Sequence, residues 1–107
     1  MSTAPHSTVL DLASLAAYQT DSIVSRQIVK ADAGNVTLFA FDAGQELSEH
    51  TAPFDALVHV LDGAAQVRIS GQDFDVQAGQ AILMPANQPH ALKAIRPFKM
   101  LLTMIRA

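Results

Sequence analysis

The sequence predicts an all-β protein, a sandwich or barrel of short strands, on three observations. Turn signals recur at short intervals: Asp32-Ala33-Gly34-Asn35, Ala43-Gly44, Asp62-Gly63, Ser70-Gly71, Ala78-Gly79, Pro85 to Pro89 and Arg96-Pro97. The segments between them are roughly five to ten residues long and rich in Val, Ile, Leu and Phe, the lengths and side chains of strands. Helix-forming periodicity is scarce.

Taken in order, residues 1–8 are polar and contain Pro5, and residues 1–10 read as a loosely held arm. Residues 11–107 read as one barrel domain. Its first element is a short helix over Asp11 to Tyr18, with Asp11 as cap and Leu12, Leu15 and Ala16 on one face. So short a helix needs packing on the barrel to persist. In Asn35 to Asp42, Phe39 and Phe41 share one face while Val36, Leu38 and Ala40 share the other, so that strand should be covered on both sides. Asp62-Gly63 and Ser70-Gly71 each read as the positive-φ pair of a tight hairpin. Val67 and Ile69 alternate with Gln66, Arg68 and Ser70. In Phe98 to Arg106 the even positions Phe98, Met100, Leu102 and Met104 are all apolar and should face inward.

Composition excludes several classes of function. Lys and Arg do not cluster, which argues against a nucleic-acid partner. With no cysteine, thiolate chemistry and cysteine metal sites are impossible. The first residues lack the pattern of a signal peptide. No apolar run approaches the ~20 residues of a membrane span, so a cytoplasmic protein is expected. Half of the residues are apolar and only 16% are charged, below the usual quarter. A homodimer is therefore expected, with Ile23 to Val29 and Asn35 to Asp42 supplying the interface.

Two blocks carry the chemistry. The first runs from Gly44 to Gly63 and includes His50; the second runs from Gly79 to His90 and includes Pro85. The spacing resembles the two motifs of the cupin family. The first motif is Gly, five residues, His, one residue, His, then Glu, six residues and Gly. Gly44, His50 and Gly63 match it; Ala52 stands at the second His position and Ala56 at the Glu position. The second motif is Gly, five residues, Pro, one residue, Gly, two residues, His. Gly79, Pro85 and His90 match it, with Asn87 at the Gly position. The resemblance covers roughly residues 35 to 105. It implies a double-stranded β-helix, the jelly-roll barrel, with a divalent transition metal (Zn, Ni, Fe, Mn or Cu) at its centre. Two of the four usual ligands are missing.

His50 and His90 are the expected metal ligands, since imidazole suits first-row divalent ions. Catalytic centres usually have three protein ligands. Glu46, four residues before His50 and of the same parity, is the expected substitute, with Asp55 behind it. His59 is out of phase with Ala56, Val58 and Val60 and should face away. The alanines at 52 and 56 enlarge the barrel interior, and Met84, Phe98, Met100 and Met104 would add flexible apolar walls. These residues form either a small-molecule pocket or simply the filling of a small barrel. Three functions follow from the resemblance. The first is a metal site that binds, or acts on, a small organic ligand. The second is a metal-free pocket that binds or isomerises a metabolite. The third is a non-catalytic sensing or structural barrel. No phosphate loop or nucleophile elbow points elsewhere.

Overall fold

The computed structural model describes residues 4–107. Nine strands follow one another: β1 (Ile23–Ala31), β2 (Gly34–Phe41), β3 (Glu46–His50), β4 (Phe54–Asp62), β5 (Ala64–Ile69), β6 (Gln72–Gln77), β7 (Ala81–Met84), β8 (His90–Lys93) and β9 (Phe98–Arg106). They form a five-stranded sheet, β1-β2-β9-β4-β7, and a four-stranded sheet, β3-β8-β5-β6. Every pairing is antiparallel. The result is a jelly-roll barrel.

Alternation decides which side chains enter it. Phe98 and Met100 are fully buried, and Leu102 and Met104 pack on the same core, while Lys99 and Thr103 share the outer face. Phe98 stacks on Phe41 at 4.5 Å between centroids. Val58, Val60, Ala65 and Val67 are also without exposure. Each such Val contributes about 1.5–3 kcal/mol by leaving water. Two of the turn assignments part company here. Ser70 (φ 49°) and Gly71 (φ 81°) do join the paired strands β5 and β6 as a hairpin. Asp62-Gly63 does not make a hairpin: β4 and β5 lie in different sheets, and Gly63 (φ 72°) is the corner at which the chain changes sheet.

The N-terminal helix reduces to a single 3-10 turn, Leu12–Ser14, and Asp11 makes no side-chain cap bond. So few residues do not repay the cost of nucleating an α-helix. The segment instead lies over the outer face of the larger sheet, where Ala16 is buried with Leu38 and Ala40, and Leu15 and Tyr18 pack beside them. Tyr18 donates to Asp62 at 2.5 Å, and Lys99 donates to the Ala13 carbonyl and sits over the Tyr18 ring. Leu38 and Ala40, on the second apolar face of β2, are thus covered by the chain's own N-terminal segment. Of the arm expected over 1–10, residues 1–3 lie outside the described residues. The backbone N–H of Ala4 donates to the Ile28 carbonyl on β1.

Stacking of the sheets positions the site. β6 lies against β4 and β7, and β5 against β9. The sheet orders then set β8 and β3 toward β2 and β1. One end of the barrel is where the chain crosses through residues 51–53 and 85–89. His50 and His90 are at that end, and Asn35, Met104, Ala56 and Met84 form the facing row of the larger sheet.

Candidate functional site

His50 ends β3 and His90 begins β8, and the two are direct cross-strand partners. Partners in an antiparallel pair project on one face. Leu92, two residues after His90, is in the core, so His90 also points inward, and only 5% of its surface is exposed. His50 arrives on that face by a route the sequence does not announce. Leu47 pairs with Leu92 and His50 with His90, so β3 spends one more residue than β8 over that stretch. That is a β-bulge, which resets the alternation. Without it, Leu47 and His50 would face opposite ways.

The imidazole Nε2 atoms lie 3.1 Å apart, with the rings 4.3 Å between centroids and inclined at 67°. His50 Nδ1 is 2.7 Å from the Ser48 carbonyl and His90 Nδ1 is 3.1 Å from the Gln88 carbonyl. A carbonyl only accepts, so each Nδ1 carries the proton and donates. In the neutral rings both Nε2 atoms are therefore bare acceptors, and two lone pairs converge on one point. Such a pair needs an electrophile between it. Burial lowers the His90 pKa, the bond to the Gln88 carbonyl opposes the shift, and the neighbouring His50 adds to it. His90 is thus held neutral, the state in which it can ligate.

The donor set fits half of a metal centre. With metal–nitrogen bonds of about 2.1 Å, a 3.1 Å separation corresponds to an N–metal–N angle of about 95°. That lies between octahedral and tetrahedral values. No cluster of three or more His, Cys, Asp or Glu able to hold a metal occurs among the described residues. Glu46 does not join the pair. It is opposite Lys93 and adjacent to inward-facing Leu47, so it projects outward, and the bulge breaks the parity that linked it to His50. Asp55 is outward as well, its Oδ1 accepting the Ala86 N–H at 2.9 Å. His59, between buried Val58 and Val60, faces outward beside Leu101 and Ala81. Asn87 replaces the motif glycine at φ 63°, a left-handed conformation that Asn tolerates.

The residues expected around a pocket divide. Ala56, Met84, Phe98 and Met100 are buried core, and Met104 packs against it. Phe98 and Met100 sit toward the opposite end of β9 from the histidines and fill the barrel. Ala56, Met84 and Met104 share the row that faces the histidine end. Ala52, half-buried, accepts the Asn87 N–H through its carbonyl and ties the two sheet-crossing loops together.

The cupin-domain profile matches residues 37–105, and the chain belongs to the cupin family. It is 38% identical to a Streptococcus pyogenes protein of unknown function, covering 100% of this chain and 96% of that one at a TM-score of 0.92. A cupin superfamily protein from Desulfitobacterium hafniense is 27% identical, with 99% and 97% covered and a TM-score of 0.90. Over 68 residues, 63% of this chain, it is 28% identical to a Streptomyces cyaneus protein named polyketide synthase CurC. The match spans 44% of that relative's length. Among the described residues no helix is long and apolar enough to cross a membrane.

Proposed function

We propose that the barrel end formed by β3 and β8 is a binding site in which His50 and His90 together hold one divalent transition metal, whose remaining positions are taken by water and a small oxygen-bearing organic ligand. The observation that carries this reading is the convergence of two bare Nε2 acceptors, each fixed by a backbone carbonyl on its Nδ1. Backbone acceptors behind ligating imidazoles are the usual means of setting tautomer and ring orientation. The metal would supply Lewis acidity to a ligand oxygen. With two protein donors, the positions left open favour a chelating ligand over a monodentate one.

The test is a Ni²⁺ titration of protein prepared without a polyhistidine tag. The expected result is one equivalent bound, lost in His50→Ala and His90→Ala and kept in His59→Ala and Glu46→Ala. Equal losses from all four variants, or no binding by the wild type, would refute it.

A second reading has one observation in its favour. The same 3.1 Å separation fits an N–H···N bond between an imidazolium and an imidazole. In that metal-free site the exposed His50 would exchange a proton with a bound metabolite. Ligand binding by protein that takes up no Ni²⁺ would select it.

For a partner we propose a second copy of this chain, seated on the outer face of the larger sheet. Four of the six large apolar side chains exposed among the described residues, Val29, Leu57, Leu83 and Ile105, lie there. The outer face of the smaller sheet, by contrast, carries Glu46, Lys93, Gln66 and the Arg68–Asp73 ion pair.

A further inference from the structure

The inward face of the larger sheet is apolar along β4, β7 and most of β9, yet it turns polar at one corner. On β2, Asn35 and Thr37 point the same way as Phe39 and Phe41. On β1, Gln27 is the direct partner of Thr37, and Lys30 that of Asn35. All four therefore share the inward face. A barrel of this size normally fills its interior with apolar side chains, so a cluster of hydroxyl and amide groups there is suited to a polar ligand.

The corner is also open. Inward residues of β4 and β5, such as Val58, Val60 and Val67, have no exposure, whereas Gln27, Asn35, Thr37, Leu102 and Met104 are only half-buried. The Thr37 hydroxyl donates to Asn35 Oδ1 at 3.3 Å, a long bond, and among the described residues the Asn35 amide protons and the Gln27 amide have no hydrogen-bond partner. By the stacking of the sheets, β3 and β8 lie toward β2 and β1, and the Asn35 row is at the same end of the barrel as His50 and His90.

We infer that Gln27, Asn35 and Thr37 form the hydrogen-bonding wall of the site whose other wall is His50 and His90, with Lys30 at the rim. The inference rests on the proposed reading of the histidine pair and names its ligand class: a small hydroxylated carboxylic acid. Three neutral donor–acceptor groups match hydroxyls, which both give and accept hydrogen bonds. A rim ammonium matches one carboxylate. A purely apolar ligand would leave these groups unpaired, which costs more than their bonds return, and an ammonium ligand would meet the like charge of Lys30.

The experiment uses tartrate, gluconate and galacturonate as probes at millimolar concentration, followed by the side-chain amide signals of Gln27 and Asn35 and by thermal shift, with and without Ni²⁺. At least one acid should perturb both amides. Its affinity should fall about tenfold in Thr37→Val or Asn35→Leu, the cost of one buried hydrogen bond, and should recover in Thr37→Ser. Ni²⁺ affinity should stay unchanged in all three variants. Unperturbed amides with every acid, or equal affinity in Thr37→Val and wild type, would overturn the wall. Loss of Ni²⁺ binding by wild type with the wall effects intact would overturn the metal and leave the wall standing.

Discussion

At the scale of the residue, the site is defined by which nitrogen of each imidazole carries a proton. Two backbone carbonyls make that choice, so when both rings are neutral the pair presents two acceptors inward. His90 follows a definite pH dependence. Its folded-state pKa lies below the ordinary value of 6.5, chiefly through burial. Near pH 8, well above 6.5, both folded and unfolded forms are uncharged and no penalty arises. As pH falls through 6.5, the unfolded chain takes the proton first, so stability declines and levels off below the folded pKa. Urea unfolding of metal-free protein between pH 8 and 5 should show this decline, and it should flatten in His90→Asn. A wild type that gains stability on acidification would contradict it. Both histidines were legible in the sequence because motif spacing fixes them. The Glu46 assignment failed because a strand's alternation holds only until a bulge, and nothing in Glu46-Leu47-Ser48-Glu49-His50 marks one.

At the scale of the element, corners and latches hold the two histidine strands in place. Gly63 carries β4 from one sheet into β5 of the other, and a Cβ there would collide with the Pro97 carbonyl and crowd Phe98. Gly44 and Gly79 also have positive φ but open space around their Cβ positions. Gly63→Ala should therefore destabilise by several kcal/mol, against about 1 kcal/mol at Gly44 or Gly79. Chemical denaturation of the three variants checks the order; equal losses would show that backbone conformation alone sets the cost. Tyr18→Phe removes the bond to Asp62 that holds the N-terminal segment, and about 1 kcal/mol should go with it. The strand faces of β2, β5 and β9 were readable from period-two alternation. The N-terminal segment was not, because the apolar spacing of Leu12, Leu15 and Ala16 suits a helix, while a segment this short packs on Leu38 and Ala40 without forming one.

At the scale of the whole molecule, the two outer faces differ in kind. The row Val29, Val36, Thr103, Leu57 and Leu83 runs across all five strands of the larger sheet. At ~4.8 Å between strands it extends about 19 Å, and with the neighbouring rows it supplies much of the roughly 800 Å² per partner of a standard interface. High apolar content pointed to such a face but could not locate it. Leu38 and Ala40 of the expected strand β2 are buried under the chain's own N-terminal segment, and the exposed side chains Val29, Leu57, Leu83 and Ile105 come from β1, β4, β7 and β9. Light scattering at micromolar concentration should give twice the 11.4 kDa chain mass, and Leu57→Glu with Leu83→Glu should return it to one. A wild-type monomer would refute the dimer, and a double variant that stays dimeric would move the interface elsewhere.

The central claim, that His50 and His90 aim two bare Nε2 atoms at one ligand, is tested most directly by ¹⁵N NMR of histidine-labelled protein near pH 8. In metal-free protein both rings should show the Nδ1–H tautomer. One equivalent of Zn²⁺ should shift both Nε2 resonances together and leave both Nδ1 signals in place. An Nε2–H tautomer in either ring, or Nε2 signals unmoved by Zn²⁺, would contradict the account.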